Sequence, residues 1–562
     1  YRRIDAPRDM TLPVKMGSDD GCRVWLNGQL IVDTNAERSF SLDSEQPTLR
    51  LRKGHNHLFV KVSQGAGEWR FGVSADPDLD PVVEAALDWQ LDSDFPTPQS
   101  RHYRFSTVPH AADVALEVGG LAVVGETAYA CTRRGEVYEV TGWMHPPATP
   151  VVRRIASGLQ EPLGLVAAPA EHGRAFWTAQ RGELTRLADP TGTGPISEYA
   201  TLCNAWKISG NYHEYAFGPK IGPGGKLYVN LNLAHSDVDG TVMGALVETR
   251  GTCVAIDPKT GAMEKFADGM RSPDGLVTYD GQLFYTDNQG DYVATNKLSW
   301  VRPGSFHGHQ ASLKFREGYG KDWKKNGRPV PEITWPAVWF PYQKMGQSAS
   351  EGVEIETDRF GPFKGQLLVG DQTICTVNRV FLEKVKDAKG QDWYQGACFP
   401  FLSGLASGVH RLCFAPDGSL LVGMTDRGWG STGPKRDGIQ RVVYTGELPF
   451  EVLSMKIAPH GFVLEFTQDA DVSAADPAKY AMKSYTYDYH PDYGSAETDT
   501  KPVRVVGAQL ITPRVLALTC EGVRGGGMGY VHELRMSGVK SKAGGGLEHD
   551  LAYYTVQVIP KD

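Results

Sequence analysis

Short apolar runs separated by polar, glycine-rich turns recur along most of this chain, and between about Gly119 and Tyr444 they fall into a repeated phrase. Each phrase is a polar loop, a short apolar strand, a turn, a second strand and an Asp/Asn/Gln-rich loop. Six pairs stand in register: Gly119-Gly-Leu-Ala with Ala130-Cys-Thr, Glu161-Pro-Leu-Gly-Leu-Val with Trp177-Thr-Ala, and Tyr212-His-Glu-Tyr-Ala-Phe with Tyr228-Val-Asn. Arg271-Ser-Pro-Asp-Gly-Leu with Tyr285-Thr-Asp, Ser350-Glu-Gly-Val-Glu-Ile with Val369-Gly-Asp-Gln, and Gly408-Val-His-Arg-Leu with Val422-Gly-Met complete the set. Units of this kind cannot bury their faces alone and stack around an axis. The pattern predicts an all-β chain with a six-bladed β-propeller over 110–446.

The flanks carry different patterns. Residues 1–80 read as a jelly-roll-like β-sandwich, with an Asn27-Gly28 hairpin between two alternating runs. A Pro- and Asp-rich linker is expected over 81–109, with a helix near 82–91. Evenly spaced short strands at Phe462, Val503, Val515 and Tyr530 predict a fibronectin/Ig-like sandwich over 447–562. The Tyr485–Gly494 stretch, rich in tyrosine, reads either as a sugar-stacking strip or as a patch packed on the propeller.

Composition narrows the function. A net charge of −8 excludes a basic nucleic-acid footprint. No apolar run is long enough for a membrane span. Eight cysteines are scattered without a CxxC or CxxCH spacing, which argues against zinc of the usual kind and against covalent haem. Cys131, Cys253 and Cys413 lie in apolar strands and read as small core residues. The chain opens on Tyr1, and a secreted or periplasmic product with its signal peptide removed is expected.

In a propeller the residues that open each first strand and those that follow each second strand meet at one mouth. The first set holds His213, Glu214, Arg271, Asp274, Glu351, His410 and Arg411; the second holds Gln180, Asn232, His235, Asn288, Gln289, Asp291, Asp371, Gln372, Asp426 and Arg427. Such convergence of polar groups marks a candidate site. His213, His235 and His410, with Glu351 or Asp371, form a candidate transition-metal set.

One stretch is more specific. Phe266-Ala-Asp-Gly-Met-Arg-Ser-Pro-Asp-Gly-Leu, Tyr285-Thr-Asp-Asn-Gln-Gly-Asp and Asn296-Lys-Leu-Ser-Trp-Val-Arg-Pro-Gly run in succession. This series resembles that of the soluble glucose/sorbosone dehydrogenases, and still more the secreted "putative membrane-bound dehydrogenase" propellers of planctomycetes and verrucomicrobia. The resemblance implies pyrroloquinoline quinone (PQQ) and calcium at the mouth, a sugar substrate and a cytochrome-type electron acceptor. It implies that Arg271 pairs with cofactor carboxylates, helped by Arg411, Asn288 and Asp371, and that Gln289, Gly290 and Asp291 hold calcium. The family's catalytic histidine falls on Gly210, so His213 is the candidate base, with His410, Glu351 and Tyr212 as further catalytic candidates. The other readings are a polysaccharide lyase or glycoside hydrolase, the latter using Glu351 with Asp274, and a non-catalytic glycan-binding protein. Removal of the Arg271 side chain is expected to abolish activity with little loss of fold.

Overall fold

The structure is a computed structural model of the chain. It describes residues 2–6, 8–38, 40–41, 43–63, 71–75, 101–111, 113–144, 150–235, 243–386, 389–428 and 430–561. The expected helix near 82–91 and most of the expected linker lie outside the described residues. The chain divides into two compact units, Tyr1–Ser106 and Thr107–Asp562.

The first unit is a pair of antiparallel sheets. Strands Arg2–Ala6, Gly54–Ser63, Gly21–Leu26 and Gln29–Thr34 lie in that order in one; Thr48–Leu51, Met10–Ser18 and Phe71–Ala75 form the other. Alternation within Met10–Ser18 turns Leu12, Val14 and Met16 inward, where they share a core with Val24, Leu49 and Leu58 of both sheets. Asn27 and Gly28 have φ of 51° and 82°. Two positive values in succession suit the two-residue hairpin turn that the Asn-Gly pair predicts.

In the second unit every strand pair that the repeat predicts is present, and each pair opens an antiparallel sheet. The first sheet is Val118–Val124, Thr127–Thr132, Val137–Thr141 and Val151–Ala156; the second is Val166–Ala168, Arg174–Ala179, Leu184–Asp189 and Glu198–Cys203. The third is Ala216–Ile221, Leu227–Leu231, Thr252–Ile256 and Met263–Asp268; the fourth is Leu276–Tyr279, Gln282–Asp287, Asn296–Val301 and Val338–Phe340. The fifth is Ala349–Glu354, Leu367–Asp371, Thr376–Lys386 and Asp392–Leu402, and the sixth contains Val409–Phe414, Leu420–Thr425 and Asp437–Tyr444. Alongside the last of these runs Val108, whose amide donates to the Ile439 carbonyl at 2.9 Å.

The opening strands of successive sheets touch in order, and the last touches the first. Glycine makes this approach possible. A Cβ on Gly119 would stand 2.0 Å from the Pro162 carbonyl oxygen, and one on Gly275 would stand 2.2 Å from that of Ser350. Polar groups then stitch the ring: Ser350 Oγ donates to the Val409 carbonyl at 2.7 Å, and Arg411 Nε donates to that of Gly119 at 2.8 Å. The arrangement is a propeller-type all-β fold, held outside the ring by sheet-to-sheet apolar cores such as Phe176, Leu187 and Cys131. Cys131 and Cys253 are fully buried and Cys413 partly so; all eight cysteines are free thiols.

The expected boundary at 446/447 falls inside this second unit. Asp392–Leu402 of the fifth sheet pairs with Leu551–Val556, so the fifth sheet runs on through Tyr530–Met536 and Tyr480–Thr486. The long strand Thr498–Thr512 pairs with Tyr480–Thr486 over its first part and with Val515–Glu521 over its second. A register shift between Val505 and Gly507 accompanies this exchange, and the strand carries the sheet over into a second layer with Gly461–Phe466 and Val452–Ala458. Phe462, Leu464, Leu516, Leu534 and Tyr554 fill the space between the layers. No helix among the described residues is long and apolar enough to cross a membrane.

Candidate functional site

Two cavities lie along the ring axis, separated by a cluster of buried charge. Arg411 is the centre of that cluster. Its Nε reaches the Gly119 carbonyl, Nη2 the Leu163 carbonyl at 3.1 Å, and Nη1 both the His410 carbonyl at 2.7 Å and Asp274 Oδ1 at 3.1 Å. The guanidinium thus ties together residues from several sheets, with no nitrogen left over. Asp274 borders both cavities. Burial pushes its pKa up, but His410 and Arg411 outweigh burial and hold it below the usual carboxylate range.

The mouth cavity, of about 200 Å³, gathers His213, His235, Arg271, Asp274, Asn288, Gln289, Asp291, Gln372 and His410 from the two predicted sets. His213 is 7% exposed, and its Nδ1 lies 3.1 Å from the Leu233 carbonyl. A carbonyl only accepts, so Nδ1 carries the proton and Nε2 keeps its lone pair. Burial, with Arg271 and His235 nearby, lowers the His213 pKa to about 4. The ring is therefore a neutral imidazole at neutral pH. It sits on a short turn, where its amide is fixed by Asn211 Oδ1 at 3.0 Å.

Arg271 is 7% exposed, and its Nε donates to Asp291 Oδ1 at 2.8 Å. Both Arg271 and Ser272 amides donate to Asp287, at 3.0 and 2.8 Å, which locks the turn that aims the guanidinium. No hydrogen bond occupies its Nη1 or Nη2 among the described residues. Its face is covered by Tyr493, with 5.2 Å between guanidinium carbon and ring centroid. Tyr493 is 63% exposed and lines the mouth. It comes from the tyrosine-rich stretch, which is otherwise packed down: Tyr485 and Tyr487 are buried, Tyr489 meets Tyr292 at a tilt and Trp335 edge-on, and the His490 carbonyl accepts from the Tyr292 amide. The two readings of that stretch therefore divide by residue, packing for the first three tyrosines and exposure at the mouth for Tyr493.

Several predicted roles are corrected. Asp291 is no calcium ligand, because Arg271 takes Oδ1 while Oδ2 meets His309 Nε2 at 2.7 Å and the Met243 amide at 3.0 Å. Burial would raise its pKa, yet His309 and Arg271 hold it well below the usual range. Gly290 lies against the guanidinium, where an added Cβ would meet Arg271 Cζ at 2.0 Å, and a cation beside that charge would be repelled. Gln289 packs on Gly494. The calcium site predicted at Gln289, Gly290 and Asp291 does not fit these residues.

Asp371 accepts four backbone amides, from Gln347, Ser348, Thr373 and Ile374 at 2.7 to 3.0 Å, and serves as a turn clamp rather than a cofactor contact. Arg411 is the axial tie described above and has no fork to offer a cofactor. Glu351 lines the second cavity, of about 240 Å³, and not the mouth, with Lys220 Nζ at 3.9 Å; burial raises its pKa. His410 Nδ1 is spent on the Val118 carbonyl at 2.7 Å and Nε2 lies 3.4 Å from Asp274, so it is poorly placed as a base. Tyr212 stands on the rim, 56% exposed and stacked on His235. His213, His235 and His410 share the mouth, but no group of three ligating side chains among the described residues is placed to hold a metal ion. Asn288 does line the mouth, and its side-chain oxygen is buried without a partner.

The motif reading missed Arg133, Tyr215, Gln347 and Ser348, and did not place the tyrosine-rich stretch at the mouth, where Tyr493 lies. Arg133 closes the first repeat's second strand, where the Asp/Asn/Gln rule did not look for a cation; it pairs with Glu161 at 2.6 Å and lies over Tyr215 at 5.0 Å.

No family model matches the chain, and no curated protein matches it. Among solved structures, an oxidoreductase of the glucose dehydrogenase type from Thermus thermophilus is similar at 18% identity and a TM-score of 0.42, over 61% of this chain and 100% of that one. The PQQ-bound aldose sugar dehydrogenase of Streptomyces coelicolor follows at 15% and 0.41, over 61% and 98%. The soluble aldose sugar dehydrogenase of Escherichia coli, in its apo form, is similar at 14% and 0.41, over 61% and 99%. At such identities the chemistry of the site rests on this chain's own residues.

Proposed function

We propose that the chain is a carbohydrate-active enzyme of the sugar dehydrogenase-like kind, built on a six-bladed propeller and reacting at the mouth cavity. One observation carries the reading: a neutral imidazole with a free Nε2 and a buried guanidinium with two free nitrogens face the same small cavity. His213 Nε2 accepts the proton of a sugar hydroxyl, and its Nδ1 bond to Leu233 holds the ring in the tautomer that allows this. Arg271 offers a two-nitrogen fork, the group best suited to a carboxylate. The amides of Asn288, Gln289, Gln347 and Gln372 around it suit sugar hydroxyls.

PQQ, which carries carboxylates, fits the Arg271 fork; when bound it supplies the hydride acceptor. A separate cytochrome-type protein would take the electrons from such a cofactor, and the protein would work outside the cytoplasm. Calcium does not belong to this proposal, since Asp291 is engaged by Arg271, His309 and the Met243 amide, and the Arg271 charge lies against Gly290. A second reading, a uronate lyase, is favoured by that same engaged loop. There Arg271 neutralises the uronate carboxylate and His213 removes the adjacent proton.

The test is dye-linked oxidation of an aldose panel by PQQ-loaded protein, beside ultraviolet absorbance of unsaturated ends from uronate polymers. Dye reduction lost in His213→Asn supports the dehydrogenase. Absorbance without dye reduction moves the site to the lyase, and sugar binding without either makes it a binding protein.

A further inference from the structure

A larger groove lies beside the mouth. It has a volume of about 780 Å³, against about 200 Å³ for the mouth cavity, and runs along the second sheet toward the third. We propose that the substrate is a neutral glycan chain and that this groove holds the sugar units next to the one that reacts. The proposal rests on reading the mouth as a sugar site and adds the length and charge of what enters it.

The lining carries the argument. Gln160 and Asn204 supply neutral donors and acceptors, the Thr185 and Thr201 hydroxyl oxygens supply acceptors, and Tyr199, 47% exposed, supplies an aromatic wall; the lining's one cation, Lys207, offsets its one carboxylate, Glu183. Sugars present hydroxyl edges and apolar C–H faces, which amides and a tyrosine ring satisfy together. The groove's carboxylate, Glu183, already accepts from Gln180 Nε2 at 3.2 Å and from Thr201 Oγ1 at 2.9 Å. It is thereby spent on orienting neutral groups.

Groove and mouth are joined by a single wall. Arg181 pairs with Glu161 at 2.6 Å, as Arg133 does, and both guanidinium groups cover the Tyr215 ring, at 5.1 and 5.0 Å. Arg133 and Tyr215 line the mouth. On the other side, Trp206, a groove residue, donates its indole N–H to the Arg181 carbonyl at 2.9 Å. Arg181 also holds the Tyr212 carbonyl, and the Tyr212 ring stacks on His235 at 6.0 Å between centroids. Four tyrosines are exposed among the described residues: Tyr199, Tyr212, Tyr342 and Tyr493. Tyr199 walls the groove, Tyr212 stands on the joining wall, and Tyr493 lines the mouth.

The experiment is calorimetric binding of malto-, cello- and xylo-oligosaccharide length series and of an oligogalacturonate series, monosaccharide to hexasaccharide, to the whole chain. Affinity is expected to rise with length in a neutral series. Tyr199→Ala is expected to remove roughly three- to tenfold of that gain, the size of one aromatic contact, with monosaccharide binding unchanged. Tyr199→Phe keeps the ring and should keep the gain. Binding that does not rise with length, a gain untouched by Tyr199→Ala, or preference for the oligogalacturonates overturns the proposal while leaving the mouth as a sugar site. Absence of binding by every saccharide overturns both.

Discussion

Lowering the pH from 7.5 to 4.5 tests whether His213 is the buried neutral base described above. The residue is almost wholly buried and its pKa falls from the ordinary 6.5 to about 4. Between those values the unfolded chain takes up a proton that the folded chain refuses. Stability contributed by His213 is therefore full above pH 6.5 and is lost as pH falls toward 4. Over that span the loss is about 2 to 3 kcal/mol, from about 1.4 kcal/mol per pH unit. His307, His410 and His532 are also buried with lowered pKa values, so the wild type alone does not isolate the effect. Urea unfolding of wild type and His213→Asn at both pH values does, because the other histidines cancel in the difference. Wild type is expected to lose about 2 to 3 kcal/mol more than the variant. Equal losses, or an imidazole nitrogen NMR titration of His213 centred at 6.5, would refute the assignment.

Other outcomes follow from the same geometry. Arg271→Ala is expected to abolish turnover and also to cost about 1.5 to 3 kcal/mol in chemical denaturation, because it removes one charged hydrogen bond from buried Asp291 and leaves the carboxylate to His309 and the Met243 amide; a folded variant of wild-type stability would show that the pair is not closed in solution. This reverses the expectation of little loss of fold. Asp291, whose pKa is held down by its partners, adds stability that is present above about pH 4 and lost as pH falls further. Asp291→Asn should flatten that acid limb, and an unchanged limb would count against the pairing. Calcium should leave the melting temperature unmoved in wild type and in Gln289→Ala, and a calcium-dependent rise absent from Gln289→Ala would restore the ligand role rejected here. Gly275→Val places a side chain where the Ser350 carbonyl already stands 2.2 Å from an ideal Cβ. It should prevent folding or cost several kcal/mol by overpacking, and a near-native melting curve would mean the opening strands do not meet as described.

The repeat made the strands legible because each opens with glycine-rich, apolar phrases whose period is that of a half-buried strand. Gly119 and Gly275 announce the close approach of neighbouring strands, although the sequence alone does not say which atoms they approach. His213 and Arg271 were legible at the mouth because the repeat fixes the face at which each strand opens. Partners across the ring were not. Asp291 looks like a cation ligand until His309, 18 positions on, and Arg271 are seen to take its oxygens. Asp371 looks like a site carboxylate until four local amides are counted. Tyr493 lies more than 200 positions from Arg271, and no period links them. The join between the fifth sheet and Leu551–Val556 was hidden for the same reason, since pairing between distant edge strands leaves no mark in either strand's own pattern.

The central claim is that the Arg271 fork and the His213 imidazole form a cofactor-and-sugar site at the mouth. Calorimetric titration of PQQ into metal-stripped protein, repeated with Arg271→Lys, tests it most directly. Lysine keeps a cation beside Asp291 but has no fork, so fold and binding separate. Saturable binding to wild type is expected without added calcium, with at least tenfold weaker binding to Arg271→Lys. No heat with wild type, or equal affinity in the two proteins, would contradict it.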